Sequence, residues 1–410
     1  MVGFGYLPVS SALHDAATVD RLLTGLAADL AAAGGQRRAD PGGDAPLAVV
    51  VLTGGTEQQV LRAAAARPER EPVVVVAHPW HNSLAAALEA VARLHQDGRP
   101  SRIVYLDGEP VGRTALAEAV HDADVARRLR RLRIGAVGTP SDWLVASSPA
   151  PATVRDAWGP EIVPVDMADA LRTYEQATAG AGAGLAAAMV AGATKVLEAD
   201  APAIAAAARV HPVLAELVRR HRLDALTVRC FDLVSQLGTS GCLALAELND
   251  TGVTAGCEGD LPSTVTMVWT RMLLGETPWM ANPAQLNLEQ GRLLLAHCTV
   301  ARSLTNGYRI RSHFESELGA AIAGSLSTGP VTLVRIGGRR LERCWIAEAT
   351  SVAQPIREGL CRTQLTVELP RPVLEGLLAA PLGNHLVVVP GHHHDRLARW
   401  RWTRGTGFDA

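Results

Sequence analysis

Short apolar runs alternating with helical patterns restrict this chain more than any other feature of it. Four such runs lie in the first 150 residues: Ala48–Leu52, Val73–Ala77, Ile103–Leu106 and Ile134–Val137. Unbroken apolar runs of four or five residues suit strands covered on both faces, and alternation with helices implies a parallel sheet. In such sheets ligands sit beyond the carboxyl ends of the strands. Three polar turns fall there: Thr53-Gly54-Gly55-Thr56, then His78-Pro79-Trp80-His81-Asn82-Ser83, then Gly138-Thr139-Pro140-Ser141-Asp142-Trp143. The Gly54-Gly55 turn lacks the GxxxxGK spacing of a phosphate loop.

The pattern continues through Glu161–Asp166, a helical stretch from Thr173 to His221, and runs at Ala225–Cys230 and Val253–Cys257. From about residue 300 the texture changes. Val331–Ile336, Cys344–Ala349 and Gln364–Leu369 read as strands, the stretch Pro381–Asp395 ends the set, and helices are scarce. The expected fold is α/β, with two doubly wound parallel α/β domains followed by a smaller, mostly β, barrel-like C-terminal domain. The expected boundaries are 1–160, 161–298 and 299–410.

One stretch concentrates the chemistry: Ala255-Gly256-Cys257-Glu258-Gly259-Asp260-Leu261-Pro262. Two carboxylates stand at the end of a strand, with glycines close by that allow backbone or ligand to approach. A carboxylate there is costly to bury unless it is paired, protonated or bound to a metal. Acids on a solvated loop are the plain alternative.

Composition removes several classes. The net charge is −2 and the two arginine clusters are interrupted by Leu or Trp, so nucleic acid is not an expected partner. No apolar stretch is long and clean enough for a bilayer, the nearest being Gly180–Ala193, and the N-terminus has no signal-peptide order. No membrane association and a cytoplasmic location are expected. Six widely spaced cysteines without a CxxC pair speak against a zinc knuckle or a disulfide framework. The single lysine, Lys195, lies in an Ala-rich stretch, which disfavours Schiff-base chemistry.

Cys257-Glu258-Gly259-Asp260, then Met280-Ala281-Asn282-Pro283, then Leu295-Ala296-His297-Cys298, then Gly383-Asn384-His385 together resemble the metal-centre framework of the L-fucose/L-arabinose isomerase superfamily. The resemblance extends to the domain order and is strongest over residues 225–300. It implies that Glu258, Asn282, His297 and His385 surround a divalent metal, Mn²⁺ by family habit. It also implies a homo-oligomer, a trimer or hexamer, in which N-terminal domains close the active sites of neighbouring subunits. Asn282 stands where the family carries its second acid, and an amide cannot carry a proton.

The implied activity is metal-dependent interconversion of an aldose and a ketose through an enediolate. The cation stabilises the developing charge, while an acid and a base move a proton between neighbouring carbons. Glu258 would be ligand and base. Asp260 would be the partner acid, or would orient a ligand. A small-molecule sugar needs polar groups beside an aromatic face, and Trp80, His81, Asn82, Trp143, Arg229 and Asn384 are the candidates. Two alternatives remain open at this stage: a non-catalytic sugar-binding or regulatory protein on the same scaffold, and a different epimerase or lyase.

Overall fold

Every residue of Leu47–Val51 and Val73–Ala77 is buried, as strands covered on both faces require. The computed structural model of this chain describes residues 2–178 and 180–404. The two runs are β3 and β4 of a five-stranded parallel sheet. It is completed by β1 (Phe4–Val9), β2 (Gly35–Arg37) and β5 (Ser101–Tyr105), in the order β2-β1-β3-β4-β5. Alternate side chains serve opposite faces. Ala48, Val50, Val74 and Val76 meet Leu26 and Leu30 of α1 (Ala16–Ala32) and Leu116 and Val120 of α4 (Pro110–Leu129). Val49, Val51, Val73 and Val75 meet Val60 of α2 (Glu57–Ala65) and Ala87, Val91 and Leu94 of α3 (Ser83–Gln96). Each fully buried Val or Leu contributes about 1.5–3 kcal/mol.

The chain forms two compact units. The first ends at Leu129 and also takes the C-terminal stretch from Ala398, where Trp402 donates its indole N–H to Asp122 at 2.9 Å. The second runs from Arg130 to Leu397. The run Ile134–Val137, grouped by sequence with the first domain, is β6 (Arg133–Val137) of a different sheet. It pairs in parallel with β7 (Glu161–Val165) and β9 (Ala225–Val228). With β10 (Thr254–Cys257) the order is β10-β9-β6-β7. An apolar run reports burial but not its partner, so the sequence alone could not separate the two sheets.

Among the described residues, seven helices belong to this part of the second unit: α5 (Pro151–Trp158), α6 (Met167–Gln176), α7 (Ala183–Gly192), α8 (Ala201–His221), α9 (Cys230–Leu237), α10 (Cys242–Asp250) and α11 (Leu261–Leu274). Of the described helices, α8 is long and apolar enough by composition to cross a membrane. Its Ile204, Val210, Leu214 and Leu217 are buried within the second unit. The stretch singled out by sequence, Gly180–Ala193, holds only the ten-residue α7.

The β-rich part is a closed antiparallel barrel in the order β11-β12-β17-β16-β15-β18. Its strands are β11 (Trp279–Asn287), β12 (Arg292–His297), β15 (Gly329–Gly337), β16 (Arg343–Val352), β17 (Thr363–Glu368) and β18 (Leu386–Pro390). Trp279, Leu293, Leu295, Leu333, Val367, Leu386 and Val388 share one buried core there. A second, three-stranded sheet joins β13 (Thr305–Arg311) to β14 (Ala321–Leu326) and β8 (Lys195–Val196), and α12 (Arg371–Ala379) precedes β18. The barrel starts at Trp279, earlier than the texture change near residue 300.

Candidate metal centre

The site begins where β10 turns into α11. A side chain at Gly256 would collide with Thr264 of α11, so glycine is what lets the helix lie over the strand. Glu258 and Gly259 then take left-handed backbone conformations, with φ of 62° and 75°. For a residue with a Cβ this costs on the order of 1–3 kcal/mol, and such strain collects at functional sites. The turn is pinned from outside. The Glu258 carbonyl accepts Ser141 N–H at 2.9 Å, and a Cβ on Gly259 would lie 2.7 Å from Pro140 Cα. Both partners belong to the loop after β6, so the sheet's own crevice fixes the carboxylate.

Three buried side chains converge here. Glu258 comes from the end of β10, His297 from the end of β12, and His385 from the residue before β18. Their donor atoms all lie within 4.8 Å of one another. Donors bound at about 2.1 Å to a single ion lie no more than about 4.2 Å apart, so the group needs little closure to hold one. The remaining imidazole nitrogens are occupied. His297 Nδ1 meets Thr299 Oγ1 at 2.8 Å, and His385 Nδ1 meets Asp260 Oδ2 at 2.9 Å. Such outer partners orient histidine ligands and leave Nε2 for the metal. His385 Nε2 is buried without a hydrogen-bond partner and stands 3.5 Å from Glu258 Oε1. A buried polar atom left unmatched fits the role of a ligand to a cation. Two imidazoles and a carboxylate suit first-row divalent ions.

Electrostatics agree with this fit. Burial pushes His297 down to about 4, so its imidazole is neutral at neutral pH. Burial also disfavours the charged form of His385, but Asp260 and then Glu258 outweigh it and raise the group to about 9. Burial would raise Glu258; His385, His297 and the Trp143 indole outweigh that and hold it below the usual range. The three groups therefore offer a carboxylate, a neutral imidazole and an imidazole whose proton an ion would displace.

Asp260 is wholly buried and fully engaged. It caps α11 by accepting Ser263 N–H at 2.8 Å on Oδ1. Its Oδ2 meets His385 Nδ1, Ser263 Oγ at 2.9 Å and Arg335 Nη1 at 3.0 Å. Burial opposes its charge, but Arg335 and His385 hold its pKa well below the ordinary value. The carboxylate holds His385 Nδ1, and each of its oxygens already accepts at least one hydrogen bond.

The other expected site residues separate. Trp143 donates its indole N–H to Glu258 Oε2 at 2.6 Å while half its surface stays exposed. Arg229 is a brace, paired with Asp142 and Asp232 at 3.0 Å each and donating to Pro140 O. Asn282 pairs with Ala296 across β11 and β12, beside His297, and is partly exposed. With Asn384, Leu377, Leu378 and Pro381 it lines a cavity of about 540 Å³. Among the described residues, no side-chain hydrogen bond joins Asn282 to the three donors. Trp80, His81 and Asn82 are exposed on the loop after β4, in the first unit.

Sequence reasoning did not single out Thr299, Phe231, His313 or Arg335. Trp143 packs edge-on against Phe231, with ring centroids 4.9 Å apart, and Phe231 packs against His313 at 5.6 Å. Arg335 carried a readable signal, a charge flanked by apolar residues inside the strand run Val331–Ile336.

No family model matches the chain. Curated sulfoquinovose isomerases from Priestia aryabhattai and Priestia megaterium are each 29% identical over 125 residues, 29% of this chain. That match spans 28% of the length of each Priestia protein. A sulfoquinovose isomerase from Clostridium sp. (strain MSTE9) is 23% identical over 344 residues, covering 80% of this chain and 76% of the relative. The similarity is to sugar isomerases.

Proposed function

We propose that this chain is a divalent-metal-dependent sugar isomerase that interconverts an aldose and a ketose through an enediolate. The observation that carries the reading is the buried convergence of Glu258, His297 and His385, with the outer nitrogen of each imidazole already held. The named relatives support a sugar as substrate, and sulfoquinovose is the first aldose to test.

A divalent cation, Mn²⁺ on the family resemblance, would supply Lewis-acid stabilisation of the negative charge developing on two adjacent substrate oxygens. The protein's own part divides among its residues. Glu258 is held as a carboxylate with one oxygen on the Trp143 indole, so its other oxygen is the one directed at the cation and the substrate proton. His297 binds as a neutral imidazole. Asp260 orients His385 and takes no part in proton transfer. The exposed face of Trp143 offers a sugar the apolar surface that its C–H bonds need. We further propose a homo-oligomer, trimer or hexamer, in which the loop carrying Trp80, His81 and Asn82 serves a neighbouring subunit's site.

A second reading, a sugar-binding protein without turnover, draws on Asn282 at the position of the family's second acid. One assay separates the two. Protein stripped of metal and reloaded with Mn²⁺ is incubated with sulfoquinovose and a panel of aldoses, and ketose formation is followed. Metal-dependent ketose formation supports the isomerase. Sugar binding without ketose at any metal loading would leave only the second reading.

A further inference from the structure

Arg335 lies on β15 between Val334 and Ile336 and is 1% exposed. A guanidinium at such depth is strongly unfavourable unless its donors are matched. They are matched in three directions. Nη1 donates to Asp260 Oδ2 at 3.0 Å and to Ser263 Oγ, both at the start of α11. Nη2 donates to Ser147 Oγ at 2.6 Å, and Nε reaches Leu382 O at 3.4 Å. A side chain on Gly383 would collide with the guanidinium, so the segment leading to His385 is shaped around it.

Each contact leads on toward a donor of the candidate centre. Asp260 holds His385 Nδ1 on the same oxygen that Arg335 binds. Ser147 ends a run of turns in which Ser147 N–H bonds Leu144 O at 3.1 Å, Leu144 N–H bonds Ser141 O, and Ser141 N–H bonds the Glu258 carbonyl, the last two at 2.9 Å. The same loop carries Trp143, which holds the Glu258 carboxylate from its other side. His297 is outside this network, its Nδ1 being held by Thr299.

We infer that Arg335 is a positioning residue that braces Glu258 and His385 together from behind the site, through the Ser147 loop on one side and Asp260 on the other. The inference rests on the reading of Glu258, His297 and His385 as a cation site. An arginine is needed because its planar fork presents several donors in fixed directions, which a lysine ammonium cannot do. Neither Arg335 nor Ser147 touches the cation or the substrate. Their effect is on donor geometry.

The test is titration of metal-free protein with Co²⁺, read by visible absorption, whose band positions and intensities report coordination geometry. Wild type is expected to bind one Co²⁺. Arg335→Lys is expected to weaken binding about 10–100-fold, the usual loss when an outer partner of a ligand is removed, and to change the spectrum. Ser147→Ala, which alters no charge, removes the loop arm alone and should give a smaller loss with a changed spectrum. It decides the matter if Arg335→Lys does not fold by circular dichroism. Wild-type affinity and spectrum in a folded Arg335→Lys, or in Ser147→Ala when the lysine variant is unfolded, would overturn the positioning role. Absence of Co²⁺ binding by the wild type would overturn the cation site itself, and this inference with it.

Discussion

The two parallel sheets repeat one strand order and differ in what they do with it. In the first, β2-β1-β3-β4-β5 reverses between β1 and β3; in the second, β10-β9-β6-β7 reverses between β6 and β9. Such reversals open a crevice beyond the carboxyl ends of the strands. In the first sheet the buried polar groups at that edge satisfy one another. His78 Nε2 donates to Leu52 O at 3.1 Å, its Nδ1 accepts Trp80 N–H at 3.2 Å, and Ser83 Oγ donates to Val51 O. Burial keeps His78 neutral, which suits this tautomer. At the second sheet's edge Glu258 is held in a left-handed turn, and His385 Nε2 has no hydrogen-bond partner. The difference is the barrel, which sends His297 and His385 to the end of β10. Topology provides a crevice in both places, and converging donors from a third element make one of them a candidate metal centre.

The largest effect that would break this contrast is at Glu258. Glu258→Gln keeps the shape and removes the charged donor, so Mn²⁺ affinity should fall at least about 100-fold while the melting temperature changes little. Calorimetric titration beside a thermal melt checks both. Loss of affinity at an unchanged melting temperature is what separates this variant from one that merely unfolds.

The next effect is on pH. His385 is raised to about 9 in the metal-free protein, above its unfolded value near 6.5. Its proton therefore stabilises the metal-free fold fully below pH 6.5, and that contribution is lost as pH rises through 9. An ion must displace the same proton. Metal affinity should rise about tenfold per pH unit from 6.5 and level off near 9. His297, pushed down to about 4, adds no second proton in this window. A flat affinity between pH 6.5 and 8.5 would show that His385 is not a ligand.

A smaller effect sharpens the comparison from the other side. His78→Ala should destabilise the first unit by about 1–3 kcal/mol through buried partners left unmatched, with metal affinity unchanged. Chemical denaturation and the same metal titration read the two parts. The smallest effect is expected for Trp143→Phe. It removes one hydrogen bond to Glu258, worth on the order of 1–2 kcal/mol, and should weaken metal binding by no more than about thirtyfold.

What could be read in advance follows the range of the forces involved. Val73–Ala77 was legible because burial on both faces leaves an unbroken apolar run. The first two barrel strands were not, since Trp279-Met280-Ala281-Asn282-Pro283 shows no alternation and the pairing shifts register between Pro283 and Gln285. Glu258, His297 and His385 were legible from the motifs around them, and they do converge. The sequence left Asp260 open between partner acid and orienter of a ligand, and offered Arg229 as a sugar contact. Each depends on partners far away in the chain: Arg335 for the first, Asp142 for the second. A residue type and its neighbours in sequence do not reveal whether a carboxylate has an oxygen to spare.

The central claim is that Glu258, His297 and His385 hold one divalent cation. Anomalous diffraction at the manganese edge, from crystals of the Mn²⁺-loaded protein, tests it most directly. The account predicts one peak, bounded by a Glu258 carboxylate oxygen and the Nε2 atoms of His297 and His385 at about 2.0–2.3 Å. A peak elsewhere, or none at full Mn²⁺ loading, would contradict it.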